Sequence, residues 1–316
     1  MNILGIESTA HTFGVGIVTD TGKILSNVTD SYTSDAAGMI PDKVVVHHNT
    51  VAEKVLLNAL DNAKVDWNDV DFIAYSAGPG LDPCLWAGYH KAKEWAQKYR
   101  KTLIGVNHCA AHLSIGKVYN ALQNPCYLYV SGVNTQIIVF EDGKYRVLGE
   151  TLDIGLGNML DKFGRIIGLG FPAGPELEKL AKNGTYVELP YVVKGMDVSF
   201  SGILTRAQQL FEQKKMTKED LCFSVQETCF AMLTEVVERA MAHTGKKELL
   251  LVGGVGANKR FCEMLNIMCK ERGATFYKVP MDLAGDQGAM IAWEGFLRKD
   301  ESGDIEVRPH WRVDDI

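Results

Sequence analysis

The sequence repeats one order of strands, glycine loops and helices in its two halves, and this repeat constrains the fold more than any other feature. Each half starts with three predicted strands, at residues 2–6, 13–18 and 24–29 and again at residues 126–131, 135–140 and 145–149. A turn sequence containing glycine precedes the third strand each time, at residues 20–23 and 141–144. A helix, an apolar strand and a glycine loop that opens another helix follow in each half. The repeat predicts an α/β fold of two duplicated units that face each other across a central cleft.

Length and composition agree with two globular domains. The 316 residues are enough for about two domains, and an apolar share of 46% with 23% charged residues excludes a disordered or fibrous chain. The periodicity is interrupted at Asn120 and again at Gln123, Asn124 and Pro125. We expect an N-terminal domain over residues 1–120 and a C-terminal domain over residues 121–316. A return of about the last 20 residues to the first domain stays open.

Cysteine spacing and hydropathy indicate the compartment. The seven cysteines contain no Cys-x-x-Cys pair, which argues against a disulfide framework or a zinc knuckle. No apolar run reaches the roughly 18 residues of a membrane helix, and the chain does not start with a basic segment before an apolar one. We therefore expect a cytoplasmic protein with no membrane partner.

Two histidines four residues apart follow a predicted apolar strand at residues 103–106. If a helix starts there, His108 and His112 lie on one face and can hold a metal ion. Two helix histidines with ordinary hydrogen bonds explain the same spacing. The zinc protease pattern is disfavoured, because residues 109–111 are Cys-Ala-Ala and lack its glutamate. Asp286, which precedes an apolar helix, is either a third metal ligand or the N-cap of that helix.

Glycine loops lie at the ends of predicted strands in both halves. They are Gly78-Pro79-Gly80, Ser131-Gly132-Val133-Asn134-Thr135 and Gly253-Gly254-Val255-Gly256. Backbone N–H groups in such loops can approach a phosphate, and helix N-termini favour anions. One such loop also serves as a tight turn. Three loops at equivalent places of a repeat indicate a nucleotide site in the cleft.

Several polar side chains have both a functional and a solvent explanation. Asp161 and Glu178 can accept hydrogen bonds from ribose hydroxyls, but on solvated helix faces they would need no ligand. His47 and His48 fall on a helix predicted over about residues 41–63, and we expect them at solvated positions.

Read together, these segments resemble the universal tRNA threonylcarbamoyladenosine synthase family, in particular the catalytic subunit of the archaeal and eukaryotic KEOPS complex. The matching stretches are Gly5-Ile6-Glu7-Ser8-Thr9-Ala10, Gly78-Pro79-Gly80-Leu81, Gly105-Val106-Asn107-His108 with His112, Tyr129-Val130-Ser131-Gly132 with Asn134-Thr135-Gln136, Gly149-Glu150-Thr151-Leu152-Asp153-Ile154, Val193-Lys194-Gly195-Met196-Asp197 with Phe200-Ser201-Gly202, Val252-Gly253-Gly254-Val255, and Gly285-Asp286 with Gly288-Ala289-Met290-Ile291-Ala292. So many dispersed matches in order are more specific than any single loop.

The resemblance implies an actin-like ATPase (ASKHA) fold of two ribonuclease-H-like domains, the second with a helical insertion. It implies transfer of a threonylcarbamoyl group from threonylcarbamoyl adenylate to the exocyclic amine of the tRNA adenosine 3′ of the anticodon. The implied partners are tRNA and other KEOPS-type subunits, including a small kinase and a small dimerisation subunit. Because a net charge of −6 repels a polyanion at long range, we expect partners to supply much of the tRNA affinity.

The resemblance also assigns site residues. One divalent metal, iron or else zinc, would be bound by His108, His112, Tyr129 and Asp286. An adenine nucleotide would be bound by Gly132, Val133, Asn134, Asp161, Gly174, Glu178, Gly254 and Asn258. Of these, Asn134 would lie near the phosphates, Asp161 and Glu178 near the ribose, and Asn258 near the adenine. The candidate catalytic residues are Glu7 and Asn134.

The chain departs from the family pattern at Val133, Trp86 and Asp42, where glycine, arginine and arginine are usual. Val133 either adopts an ordinary negative φ or forces its loop away from the phosphates. On the second alternative, nucleotide binding is weakened and Val133→Gly tightens it by up to about tenfold. Two other functions stay open, a non-catalytic nucleotide-binding scaffold of the same fold and an actin-like ATPase or sugar kinase.

Overall fold

The computed structural model describes residues 1–33, 40–301 and 305–316. Within them the chain forms two compact units, Met1–Ala121 with Gly285–Ile316, and Leu122–Ala284. In chain order the strands and α-helices are β1 (Asn2–Glu7), β2 (Thr12–Thr19), β3 (Ile24–Ser31), α1 (Pro41–Ala63), β4 (Phe72–Gly78), α2 (Asp82–Tyr99), β5 (Thr102–Asn107), α3 (His108–Tyr119), β6 (Cys126–Val130), β7 (Thr135–Glu141), β8 (Lys144–Glu150), α4 (Leu156–Ile166), α5 (Gly174–Ala181), β9 (Val193–Lys194), β10 (Asp197–Val198), α6 (Ser201–Glu212), α7 (Lys218–Thr244), β11 (Glu248–Val252), α8 (Lys259–Glu271), β12 (Thr275–Lys278), α9 (Met281–Ala284) and α10 (Gly288–Leu297).

Each unit is built on a five-stranded sheet of the same topology. The strand order is β3-β2-β1-β4-β5 in the first unit and β8-β7-β6-β11-β12 in the second. In both sheets the first strand pairs antiparallel with the second and parallel with the fourth, as β1 does with β2 and β4, and β6 with β7 and β11. The predicted duplication of an α/β unit is confirmed.

The third strand of each sheet follows the turn that the sequence predicts. Gly22 has a φ of +81°, and Asp142 and Gly143 have φ values of +53° and +77°. The two successive positive φ values at Asp142 and Gly143 are the geometry of a type I′ turn, whose twist matches that of the strands it joins.

Helix α10 follows the second unit in the sequence but packs in the first. Its buried side chains share a core with Ile3 and Val18. These side chains are Ala289, Met290, Ile291, Ala292 and Trp293. An apolar helix needs a buried place, and the face of β1 and β2 provides it. The structure groups Gly285–Ile316 with the first unit, a longer segment than the roughly 20 residues whose return to the first domain the sequence leaves open. The domain bounds of 1–120 and 121–316 stay a prediction.

The core of the second unit is organised by α7, which spans 27 residues. Buried apolar residues along it, such as Val225, Phe230 and Val236, pack with the apolar face of the sheet. Among the described helices, none is both long enough and apolar enough to cross a membrane.

Candidate metal and nucleotide sites

Strand β5 leads directly into α3, whose first turns carry the two predicted histidines. Asn107 caps the helix, because its Oδ1 accepts a hydrogen bond from Ala110 N at 3.0 Å. The cap fixes the helix start at His108. His108 and His112 are buried on one face with ring centroids 4.7 Å apart. The predicted pairing of these histidines on a helix face is confirmed.

Asp286 completes a cluster of three within the first unit. Its Oδ1 lies 3.3 Å from His112 Nε2 and 3.6 Å from His108 Nε2. One donor atom from each of the three residues lies within 4.8 Å of the other two. The N-cap of α10 is Gln287, whose Oε1 accepts from Met290 N at 3.0 Å, so the capping alternative for Asp286 is wrong. Two imidazoles and one carboxylate are a donor set that suits iron or zinc.

Glu7 contacts the ring nitrogen of His108 that faces away from Asp286. The side chain is fully buried, and its Oε2 lies 3.0 Å from His108 Nδ1. Its Oε1 accepts from Thr9 N at 2.6 Å and from the Thr9 hydroxyl. Since a carboxylate only accepts, His108 Nδ1 carries the proton and Nε2 is turned towards Asp286. A carboxylate behind a histidine is typical of metal centres.

The groups of this cluster shift one another's pKa. Burial lowers the pKa of His108, but the facing Glu7 and Asp286 outweigh it and raise that pKa to about 9. Burial holds the pKa of His112 below its ordinary value. Burial alone would raise the pKa of Asp286, but the hydrogen bond from His112 and the charge of His108 hold that pKa well below its usual range. At neutral pH and without an ion, an ionised Asp286 therefore lies between an imidazolium and a neutral imidazole. A metal would displace the proton on His108 Nε2, while Nδ1 keeps the proton that faces Glu7.

In the second unit, the loop between β6 and β7 is closed by its own polar groups. Ser131 N donates to Asn134 O at 2.8 Å, and Asn134 N donates to Ser131 Oγ at 3.1 Å. Asn134 Nδ2 donates to Tyr129 Oη at 3.4 Å. Tyr129 is buried on β6 in this unit, whereas the other three predicted metal ligands belong to the first unit. Its assignment as a ligand stays a prediction.

Val133 does not strain this loop. The residue is 71% exposed, and among the described residues Val133 is not one of those with a left-handed backbone, because its φ is not positive. Of the two alternatives drawn from the sequence, the structure adopts the ordinary backbone conformation. The expected loss of nucleotide affinity therefore has no steric basis here.

Helix α4 begins against the same loop. Gly157 N donates to Ser131 O at 3.1 Å, and Asn158 N donates to Gly132 O at 2.9 Å. A Cβ on Gly155 would lie 2.2 Å from the carbonyl oxygen of Val133, so only glycine allows this approach.

Asp161 and Glu178 each accept a hydrogen bond from a backbone N–H at or next to the start of a helix. Asp161 Oδ1 accepts from Ala173 N at 2.8 Å before α5, and Glu178 Oε1 accepts from Lys259 N at 3.0 Å at the start of α8. Partial burial raises the pKa of Asp161. Neither is a freely solvated position, and each has a second oxygen that can accept a ribose hydroxyl.

The remaining predicted nucleotide residues lie at helix starts of the second unit. Gly174 is the first residue of α5, and a Cβ there would meet nothing within 4 Å. Gly254 opens a short 3₁₀ turn, Gly254–Ala257. Asn258 then caps α8, because its Oδ1 accepts from Phe261 N at 3.0 Å.

A cavity of about 430 Å³ lies between α5, α7 and α8. Its walls include Glu178 from α5, Phe223 and Gln226 from α7, and Lys259 and Arg260 from α8. The volume lies within the range of ligand pockets. Of these residues, Glu178 alone is a candidate site residue from the sequence.

Comparison with known proteins decides the family. Residues 23–293 match the family described as TsaD, tRNA N6-adenosine threonylcarbamoyltransferase. The tRNA N6-adenosine threonylcarbamoyltransferase of Thermococcus kodakarensis is 50% identical over 100% of this chain and 98% of that protein. This chain belongs to the TsaD family. A probable bifunctional tRNA threonylcarbamoyladenosine biosynthesis protein of Methanobrevibacter smithii is 49% identical over 96% of this chain and 56% of that protein.

Solved structures place this TsaD-family chain among actin-like folds. The crystal structure of HypF from T. kodakarensis matches with a TM-score of 0.68 at 14% identity, over 95% of this chain and 48% of that chain. Component A of (R)-2-hydroxyglutaryl-CoA dehydratase from Acidaminococcus fermentans matches with a TM-score of 0.59 at 13% identity, over 95% of this chain and 99% of that chain. At these identities the likeness shows the fold alone, and it confirms the predicted actin-like fold class.

His48 of this TsaD-family chain is buried, so the expectation of a solvated position is wrong. Its Nε2 lies 2.9 Å from Ala10 O, and burial lowers its pKa to about 4. The reason is that α1 packs this face on β2 and β3. His47 is half-buried, and its Nε2 lies 2.9 Å from Asp30 Oδ1.

Proposed function

We propose that this chain transfers a threonylcarbamoyl group to N6 of a tRNA adenosine, the reaction in its family's description. The observation that carries the proposal is the similarity over the full chain at 50% identity. The buried cluster of His108, His112 and Asp286 adds a site with suitable chemistry. The finer parts of the proposal are threonylcarbamoyl adenylate as donor and the adenosine 3′ of the anticodon as acceptor.

The first unit is the proposed metal unit. His108, His112 and Asp286 would hold a divalent ion, with iron as the first choice and zinc as the second. The fit rests on the donor set, on its burial and on the orientation of His108 by Glu7. A bound ion would supply Lewis-acid chemistry towards a phosphoryl or carbonyl oxygen.

Glu7 acts through His108 in this proposal. It was predicted as a catalytic residue, but it is fully buried and its oxygens accept from Thr9 and face His108. A group enclosed in this way does not contact a substrate. We therefore assign Glu7 a positioning role, which fixes the ring orientation and the tautomer of His108.

The second unit is the proposed nucleotide unit. The turn of Gly132, Val133 and Asn134 offers backbone N–H groups and the Asn134 amide to phosphate oxygens. Asp161 and Glu178 would accept hydrogen bonds from the ribose, and the backbone at Gly174 and Gly254 would allow close approach. In the reaction, the amine nitrogen of the adenosine forms a bond to the carbamoyl carbon of the donor. The bond from that carbon to the phosphate oxygen breaks, so that AMP leaves, and the amine loses a proton. Holding the phosphate and placing the amine are the tasks left to the protein.

Three further parts of the proposal rest on the resemblance alone. Each unit would correspond to one ribonuclease-H-like domain. The partners would be tRNA and KEOPS-type subunits, including a small kinase and a small dimerisation subunit. The location would be the cytoplasm.

The test is reconstitution. The chain, candidate partner subunits, unmodified tRNA and chemically prepared threonylcarbamoyl adenylate are incubated, and the tRNA nucleosides are analysed by mass spectrometry. We expect threonylcarbamoyladenosine with the wild-type chain and none with His108→Ala/His112→Ala. Nucleotide binding without the modified nucleoside would favour the scaffold alternative, and phosphoryl transfer to a sugar would favour the kinase alternative.

A further inference from the structure

Asn258 uses both of its side-chain polar atoms within the protein. Its Oδ1 accepts from the backbone of Phe261 at 3.0 Å, and its Nδ2 donates to Gln226 Oε1 at 2.8 Å. A backbone N–H is always a donor, so the Oδ1 contact fixes which way the Asn258 amide points. That orientation in turn requires Gln226 to present its oxygen to Asn258.

Because Gln226 Oε1 accepts from Asn258, the amide nitrogen of Gln226 is available to a ligand in the cavity. Gln226 lines the cavity between α5, α7 and α8, and the residue is 4% exposed. Among the described residues, none accepts a hydrogen bond from Gln226 Nε2. The nitrogen is not fully enclosed by protein atoms. The cavity therefore receives a fixed hydrogen-bond donor at this point. A donor that has no protein acceptor in a largely buried place favours a ligand with a matching acceptor.

The charges around the cavity favour an uncharged group beside this donor. Three cationic and three anionic side chains line the cavity, and they are Lys182, Lys259, Arg260, Glu178, Glu227 and Glu263. Arg260 donates to Glu227 from Nε at 2.7 Å and from Nη2 at 2.8 Å, and to Glu263 from Nη1 at 2.7 Å. These bonds hold the guanidinium plane rigid and leave it little excess charge for a phosphate. The half-buried ring of Phe223 adds an aromatic wall.

We propose that Gln226 Nε2 donates a hydrogen bond to an unprotonated ring nitrogen of a nucleotide base in this cavity. Asn258 is then the positioning residue, because it keeps the Gln226 amide in the orientation that presents this donor. The proposal rests on the proposed nucleotide site of the second unit. It changes the role expected for Asn258 from a direct contact of the base to the support of the residue that makes the contact.

The experiment compares ATP with its 1-deaza, 3-deaza and 7-deaza analogues by calorimetry on the full chain. Each analogue replaces one ring nitrogen by C–H and so removes one acceptor. We expect one of the three to bind the wild-type chain about tenfold more weakly than ATP, because it leaves the Gln226 donor unpaired. The other two should bind nearly as ATP does.

Two variants then assign the discrimination to the pair. In Gln226→Leu the donor is gone, and the tenfold difference should vanish. In Asn258→Asp the new carboxylate still caps α8 but can only accept from Gln226. Gln226 must then turn its nitrogen to that carboxylate and its oxygen to the cavity, so the difference should vanish there too. Asn266→Asp, on α8 with the same added charge, should keep the wild-type discrimination.

The outcomes separate this proposal from the one on which it rests. Binding of ATP with no discrimination among the analogues, or with discrimination that survives in both variants, overturns the role of Gln226 and leaves the nucleotide site intact. Failure of the wild-type chain to bind ATP overturns the nucleotide site and the role of Gln226 together.

Discussion

The loops β1–β2 and β6–β7 occupy the same place in the two copies of the repeat but satisfy their polar groups in different ways. In the first unit, Glu7 ends β1 as a buried carboxylate that bonds Thr9 and faces His108. In the second unit, Ser131 and Asn134 bond each other in an exposed turn that leaves backbone groups at the surface. One loop is built on buried charge and the other on backbone geometry.

The two copies of the repeat can therefore support different chemistry, although their sheets have the same topology. Buried charges need partners of opposite charge or a metal, so they tie a loop to distant residues such as His108. A turn that bonds itself needs no distant partner and tolerates an unusual residue such as Val133. We therefore expect the first unit to be sensitive to charge and the second to be sensitive to backbone volume.

The largest expected effect is on metal binding in the first unit. His108→Ala/His112→Ala removes two of three clustered donors. We expect the wild-type chain to bind one divalent metal ion and this variant to bind none, as measured by mass spectrometry of the metals. The control is His243→Ala/His310→Ala, which removes two exposed histidines. Full metal content in the double variant at residues 108 and 112 would reject the site.

The second effect is the pH dependence of stability that His48 gives to the first unit. Burial lowers the pKa of His48 to about 4, below its ordinary value of 6.5. As pH falls from 6.5 towards 4, only the unfolded state takes up the proton, so the free energy of unfolding falls by up to about 3 kcal/mol. The slope is measured by urea denaturation at several pH values. His48→Gln keeps a donor for Ala10 and should remove this part of the slope, and an unchanged slope would refute the assignment.

The third effect concerns backbone volume in the second unit. In Gly155→Ala the new Cβ would lie 2.2 Å from Val133 O and 2.5 Å from Gly132 O, and the loop must move. We expect a loss of about 1–3 kcal/mol in the free energy of unfolding. Gly170→Ala is the control, because a Cβ there meets nothing within 4 Å. Equal stability of the two variants would show that the loop yields without cost.

The smallest effect is expected at Val133, where the comparison predicts tolerance. Because Val133 is exposed and has no positive φ, Val133→Gly should change the free energy of unfolding by less than about 0.5 kcal/mol. Nucleotide affinity should stay within about twofold, since no strain is released. A tenfold gain in affinity would instead support the steric alternative drawn from the sequence.

Local patterns sufficed to predict much of the fold. The helix predicted over about residues 41–63 is α1, Pro41–Ala63, and the helix start at His108 agrees with its cap at Asn107. Proline near a helix start, alternating apolar residues and glycine turns are all signals that a few neighbouring residues carry.

Features set by packing between distant segments could not be predicted in the same way. The burial of His48 depends on the sheet under α1, and the place of α10 depends on a core at the other end of the chain. Asp286 and Gln287 are adjacent and both able to cap a helix, so the sequence could not decide between them. Gln226 lies inside a long helix without any motif, and only the contact with Asn258 reveals it.

The most direct test of the account is the metal affinity of Glu7→Gln. A glutamine keeps an oxygen for Thr9, but its amide nitrogen faces His108 Nδ1, which must then accept a hydrogen bond and move its proton to Nε2. We predict normal folding by circular dichroism and a metal affinity about ten- to a hundredfold below that of the wild-type chain. The control is Glu306→Gln, an exposed position in the same unit, which should leave the affinity unchanged. Wild-type metal affinity in Glu7→Gln would contradict the claim that this buried carboxylate orients the metal site.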